Sequence, residues 1–421
     1  MTDDSGKGES GRDDGGKSDS LAAFRHRDYC YLWFGRFLST VAMQMQAVAI
    51  AWQVYEISRN PFDLGLIGLS LFLPAIGLVL VTGHVADRYN RKTIIQICLA
   101  ADVFLALALT ALAFVGTKST WPIFVLLVGL GITRAFINPT WQAMMPNLVP
   151  QKDLANAVAW QSSAWQVASI GGPAVGGAVL VLGADVAYGI SALMVLISVV
   201  LTGLIARREF VSAKEPVSWT SVLGGLVYIW QKKVILGAIS LDLFAVVLGG
   251  CVALYPIYAT DILGVGAQGL GLLRAAPAAG AVVCSLWLVR HPLHTHAGRT
   301  MFLAVALFGA GTVVFGVSTS FPLALAALFT MGAADMVSVY VRQTLVQLAT
   351  PDSMRGRVGA VSSVFVTTSN EFGDFRAGMA AGFIGAVPAV VLGGAATLAV
   401  TALWARLFPQ LRTVQRLDRT I

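Results

Sequence analysis

Charge is what this 421-residue sequence has least of. Asp, Glu, Lys and Arg together make up only 12% of it, against about 25% in soluble domains. A soluble chain of this length would divide into two or three domains with polar surfaces. Too little polar material is present to cover them, so lipid must serve instead. Cysteine is also scarce: Cys30, Cys98, Cys251 and Cys284 lie far apart in apolar stretches with no CxxC pair, which reads as buried small hydrophobes rather than disulfides or a metal site. Catalytic constellations are missing. All five histidines (His26, His84, His291, His294, His296) lie in segments expected to be cytoplasmic, and no Ser/His/Asp or HExxH arrangement occurs, so nothing indicates an enzyme. A GxxxxGKS/T phosphate loop is absent too, so ATP is not expected to drive it directly. Residues 1–20 contain no hydrophobic run; they are no secretory signal and read as a disordered cytoplasmic tail.

What the sequence does have is apolar length. Hydrophobic residues make up 56% and mean hydropathy is +0.74. A span needs about twenty mostly apolar residues, because the hydrocarbon core is about 30 Å thick and a helix rises about 1.5 Å per residue. Such segments run near 31–55, 62–85, 93–115, 121–145, 155–182 and 187–206, then near 234–259, 269–290, 300–317, 321–347, 358–382 and 385–407. The expected architecture is all-α and integral to the membrane, with about twelve spans in two six-helix pseudo-repeats. The first half is 21–206 and the second 234–408. A cytoplasmic central loop at 207–233 carries an interfacial amphipathic helix in SWTSVLGGLVYIWQKK, and 409–421 forms a second cytoplasmic tail.

With the N-terminus inside, twenty-two Lys and Arg fall in cytoplasmic segments, against Arg59 and Lys118 outside. Both termini are therefore expected in the cytoplasm. The same count explains the net charge of +7 without a nucleic-acid partner. The halves are related by a shift of 201 residues: Gly131 meets Gly332, Gln142 meets Gln343, Pro150 meets Pro351, and Gly172 and Gly177 meet Gly373 and Gly378. Parallel six-helix repeats place a substrate site at their interface near the bilayer midplane.

Between spans two and three stands Gly83-His84-Val85-Ala86-Asp87-Arg88-Tyr89-Asn90-Arg91-Lys92. This resembles the loop motif of the major facilitator superfamily, G-x-L-A-D-R-x-G-R-K, with Val85 for Leu and Asn90 for Gly. Asn tolerates the left-handed backbone such a turn would need. The resemblance implies that Gly83, Asp87, Arg88 and Arg91 form a gating loop that holds the state closed toward the cytoplasm, while simple positive-inside anchoring suffices for Lys92. The corresponding second-half stretch, Arg290 to His296, has lost the motif. Its three histidines read as a solvated loop rather than a metal site. Gly172-Pro173-Ala174-Val175-Gly176-Gly177 looks like the end of the superfamily's antiporter-associated motif, without its upstream glycines. Gly172, Pro173, Gly176 and Gly177 are accordingly read as permitting helix bending and close packing. Around Pro351–Val358 and Ser369–Phe375 the chain resembles the branch of enterobactin-exporter-like proteins, the transmembrane secretion effectors.

Ten ionisable residues fall inside the spans: Arg36, Asp102, Arg134, Asp242, Arg274, Asp335, Arg342, Glu371, Asp374 and Arg376. A charge at the centre of a span costs about 2.5–3.5 kcal/mol, so each needs a partner or a wet cavity. Arg134 and Asp335 occupy equivalent places in the repeat and are expected at a central cavity, paired with each other or with cargo. Glu371 and Asp374 share a face of span eleven, and carboxyl groups away from water can load and release protons. With Asp335 they are the proton-coupling candidates; Arg376 faces elsewhere. Gln44, Gln46, Asn138, Trp141 and Gln142 are further cavity candidates.

These features imply a secondary active transporter of the inner membrane of a bacterium. It would export a small amphipathic organic compound, siderophore-like or drug-like, by alternating access with proton antiport. Proton-coupled uptake is the alternative, and a membrane-embedded sensor or enzyme a remote one. No metal or cofactor is implied beyond the proton as coupling ion. The expected partners are the organic substrate and lipid, and the expected state is a monomer.

Overall fold

The computed structural model describes residues 21–206, 219–291, 293 and 296–414. The expected tail at 1–20, the central loop as far as 218, His294 and the last residues from 415 lie outside the described residues. The first half contains α1 (Arg27–Ser58), α2 (Pro61–Arg88), α3 (Arg91–Val115), α4 (Trp121–Met144), α5 (Leu154–Leu180) and α6 (Ala184–Leu204). After α7 (Trp219–Gln231) comes α8 (Lys233–Gly249), which breaks and resumes as a short turn, α9 (Tyr255–Ile257) and a π-helical stretch, Tyr258–Ile262. Then follow α10 (Gly266–Arg290), α11 (Ala297–Val317), α12 (Phe321–Ala349), α13 (Asp352–Ile384), α14 (Ala386–Leu407) and α15 (Pro409–Arg412).

Each expected span has its helix, but the seventh is interrupted. Among the described residues, ten helices are long and apolar enough to cross a membrane. The other two, α5 and α13, match them in length and carry more polar residues. Large apolar side chains on the outer surface, such as Phe104, Phe114, Leu303 and Phe383, stay exposed, as they can where lipid rather than water surrounds them. Helix ends follow local chemistry. Asn60 accepts the Phe62 N–H with Pro61 in the first turn, and Gly116 closes α3 at φ 70°.

Packing repeats from half to half. In the first, α1 lies on α5 and α6, α2 on α4, and α3 on α4 and α6. In the second, α8 lies on α13 and α14, α10 on α12, and α11 on α12 and α14. The halves meet through α5 on α10 and α2 on α13. The 201-residue repeat has a physical counterpart: Gly131 packs against the Leu71 carbonyl and Gly332 against the Pro277 carbonyl. The α4/α12 members of this match are 201 residues apart and the α2/α10 members 206 apart. The second half is therefore five residues shorter somewhere between α10 and α12, a stretch that includes the connection where the loop motif is missing.

The amphipathic helix is α7, and it sits on the second half. Ile229 is buried against Ile235, Ile239 and Val358, and the Tyr228 hydroxyl donates to the Ala349 carbonyl at 2.8 Å. Part of the expected C-terminal tail is docked rather than loose: Leu411 is fully buried, and the Gly298 N–H donates to the Val414 carbonyl at 3.2 Å.

Candidate functional site

The first half encloses a cavity between α1, α3, α4 and α5. From α1 it receives Arg36, Thr40, Met43 and Gln46, which recur every three or four residues and so share one face. Asp102 comes from α3, Arg134, Asn138 and Trp141 from α4, and Trp165 from α5. Of the expected cavity residues, Arg134, Asn138, Trp141 and Gln46 are here. Gln44 is instead spent on packing, because its side chain fills the space where a Cβ of Gly172 would stand. Gln142 is exposed and does not belong to this lining. Asp335 lines a smaller cavity in the second half with Asp242 and Ser338.

The two repeat-related charges therefore have different company. Arg134 lies within electrostatic reach of Asp102 and of Glu371 from the opposite half, and the Thr133 hydroxyl donates to Asp102. Asp335 lies beside Asp242 and Arg342. Those two form a buried ion pair at 3.4 Å, with Ser338 donating to Asp242 at 3.4 Å and Arg342 to the Ser362 hydroxyl at 3.2 Å.

The acids of α13 also part company. Glu371 lies over the α2 backbone of the other half: a Cβ on Gly68 would be 3.2 Å from its Oε2. It sits in reach of Arg134 on one side and Arg274 on the other. Asp374 instead accepts the Ala253 N–H at 3.2 Å, and that of Val252. Arg376, two residues on, donates to the Gly250 carbonyl at 3.1 Å. Together they satisfy the backbone groups that the break after α8 frees, as a span requires.

Much of the loop motif is helix. Gly83 to Arg88 form the last turns of α2, and only Tyr89 and Asn90 connect it to α3. Asn90 is not left-handed. Its φ is −63°, and its side chain caps α3 by accepting the Lys92 N–H at 3.0 Å. Arg91 donates to the Ala143 carbonyl at 2.9 Å, at the end of α4. Lys92 does more than mark a membrane side: it is buried, and its ammonium donates to the Gly203 carbonyl at 2.7 Å and to Ile205, closing the end of α6. Arg88 is exposed, and the surroundings of Gly83 and Asp87 lie outside the described residues.

The face opposite this turn is where the halves lock. A Cβ on Gly177 would stand 2.7 Å from the Gly271 Cα, and one on Gly378 2.5 Å from the Gly65 Cα. These repeat-related contacts bring helix backbones of different halves together. Within the glycine motif the roles differ. Gly172 and Gly176 admit Gln44 and Met45 of α1, Gly177 admits the second half, and α5 continues as a helix through Pro173. Nearby, the Tyr55 hydroxyl donates to Asp261, and Arg59 pairs with the same carboxylate at 3.3 Å. Sequence reasoning did not find Asp261, which lies in the π-helical stretch after the break. It left Arg36, Asp102 and Trp165 unassigned, although the spacing of Arg36 with Thr40 and Met43 was a readable signal.

Comparison with known proteins agrees with this architecture. The pattern of the transmembrane secretion effector family matches residues 18–420. The chain is 27% identical over 356 residues to YfiS of Bacillus subtilis, described as an uncharacterized MFS-type transporter, covering 79% of this chain and 81% of that one. It is 26% identical over 379 residues to the enterobactin exporter EntS of Shigella dysenteriae, covering 88% of each. Among solved structures, a bacterial homolog of the human lysosomal transporter Spinster, inward-facing and unoccupied, superposes with a TM-score of 0.69 at 15% identity, covering 92% of this chain and 96% of that one.

Proposed function

The chain belongs to the transmembrane secretion effector family, and on that footing we propose that it exports a small amphipathic organic compound by proton antiport with alternating access. The observation that carries this reading is the position of Glu371. It stands on α13 of the second half but against Gly68 of the first, between Arg134 and Arg274. Rocking one half against the other must change the distances from Glu371 to Gly68 and Arg134, whereas Arg274, on α10 of its own half, moves with it. A Coulomb interaction varies inversely with distance and gains strength away from water, so the proton affinity of Glu371 is tied to which way the transporter faces. Asp374 and Asp335 are weaker candidates, since Asp374 is bonded to backbone and Asp335 sits beside the Asp242–Arg342 pair.

The contacts at Gly177, Gly378 and Asp261 favour a conformation sealed on that face. With the basic residues and both termini in the cytoplasm, the sealed face is the outer one, as an exporter needs while loading. The motif helix acts as the inner latch in the opposite state. Arg91 and Lys92 fasten it to the ends of α4 and α6, and in this reading Asp87 and Arg88 engage the second half. The relatives named as enterobactin exporters support the direction and the siderophore-like class of cargo. The working unit is a monomer in the inner membrane of a bacterium, with no cofactor beyond the coupling proton.

The test uses inverted and right-side-out vesicles with an imposed pH gradient and enterobactin as probe, with ethidium as the cationic comparison. Accumulation in inverted vesicles is expected, and accumulation only in right-side-out vesicles would sink export in favour of uptake. Glu371→Gln should abolish gradient-driven flux while substrate exchange continues. Unchanged flux in Glu371→Gln, Asp374→Asn and the double variant removes α13 from coupling.

A further inference from the structure

The charges of the first-half cavity do not cancel. Arg36 and Arg134 line it together with a single carboxylate, Asp102, which the Thr133 hydroxyl already holds. Among the described residues, no carboxylate forms an ion pair with either guanidinium. The charged or polar neighbour that Arg36 feels is the Tyr29 hydroxyl, on its own helix. Arg134 feels Asp102 and, from across the interface, Glu371.

The second half treats its equivalent positions differently. In the 206-residue register of α2 and α10, extended to α1 and α8, Arg36 corresponds to Asp242. In the 201-residue register Arg134 corresponds to Asp335. Both signs are inverted, and the second half supplies its own cation, Arg342, which binds Asp242 at 3.4 Å. Among the described residues, the first-half cavity thus holds two guanidiniums and one carboxylate, with Glu371 reaching Arg134 only from across the interface, and an unpaired charge inside the membrane is costly to keep. Trp165, which is exposed, and Met43 line the same cavity as the guanidiniums and give it a polarisable apolar surface.

We infer that the cargo is an organic anion, an acidic group on an aromatic body, with the acid held by Arg36 and Arg134 and the ring against Trp165. Guanidinium groups present forked donors that fit carboxylate, sulfonate or phenolate oxygens, and a bound anion supplies the charge that this half lacks. The inference rests on the transporter reading above and gives its cargo a sign.

The test is calorimetric titration of the purified full-length protein with 1-naphthoate, its neutral isostere 1-naphthamide, and 1-naphthylmethylammonium. A hydrogen-bonded charge is worth about tenfold or more in affinity, so naphthoate should bind at least about tenfold tighter than the amide, with the ammonium weakest. Arg36→Gln and Arg134→Gln should each remove most of that preference without weakening the amide, and Arg36→Lys should keep much of it. Equal or tighter binding of the amide or ammonium overturns the inference. So does a preference that survives in both Gln variants, or the absence of saturable binding by naphthoate. Selective naphthoate binding without flux in vesicles of either orientation would remove the transporter reading and leave the anion site standing. Flux of ethidium without naphthoate binding would do the reverse.

Discussion

Alanine at Gly177 adds one methyl group at the place where α5 meets α10. Its Cβ would lie 2.7 Å from the Gly271 Cα and 2.7 Å from the Ala267 carbonyl oxygen. Carbon atoms in good contact stand about 3.5–4.0 Å apart, so the two backbones must separate by about 1 Å. Neither neighbour is a flexible side-chain end that could swing aside. Forcing extra volume into a close-packed contact costs about 1–3 kcal/mol, here charged only to the conformation in which this contact is made. The ratio of sealed to open molecules should therefore fall by about 5- to 150-fold. Gly378→Ala should act alike at the other crossing, where its Cβ would be 2.5 Å from the Gly65 Cα. Gly171→Ala is the control, since a Cβ there meets nothing within 4 Å on the same helix. The readout is the distance distribution between spin labels at the exposed residues Lys118 and Thr319, one on each half, in a protein whose four cysteines have been replaced. A longer-distance population should grow in Gly177→Ala and Gly378→Ala. Distributions that superpose on the unsubstituted protein in both variants would refute the reasoning, as would an equal change in Gly171→Ala.

Two further outcomes follow from buried charges. Lys92→Met removes two hydrogen bonds that close α6 and leaves carbonyls unmet, so the purified protein should lose about 2–4 kcal/mol in denaturation experiments; an unchanged midpoint would mean that water replaces the ammonium. Arg342→Met strips the nearby cation from both Asp242 and Asp335 and should cost about 3–5 kcal/mol. Asp242→Asn should cost clearly less, because Asp335 remains as a partner for the arginine, and equal losses would show that Asp335 plays no such part.

The twelve helices were readable in the sequence because a lipid-facing surface imposes the same apolar demand on every side, which simple length and hydropathy detect. The repeat was readable at Gly131 and Gly332 because backbone contact tolerates no side chain at either place. The break in the seventh span was not. Apart from Ser240 and Asp242 the stretch from 234 to 259 reads as one apolar run, and what makes the break tenable is Asp374 and Arg376, more than a hundred residues away. Those same residues looked like a proton site and a bystander, since charge in a span signals need without naming the partner. Arg134 and Asp335, expected at one central cavity and paired with each other or with cargo, line separate cavities for a related reason: symmetry fixes equivalent places, not proximity. In the loop motif, spacing located the turn correctly, while Asn90 turned out to be a helix cap and Lys92 a closing group for α6.

The clasp formed by Asp374 and Arg376 also bears on how the chain is assembled. When α8 leaves the ribosome, the Gly250 carbonyl and the Val252 and Ala253 amides have no partners within their own segment. Their partners are synthesised only with the eleventh span, after three others have been made. Until then this part of the chain must rest where water can reach it, at the bilayer surface or in the translocation channel, because lipid offers no hydrogen bonds. Completion of the seventh crossing is thereby postponed until the eleventh arrives, and the second half can close only as a unit.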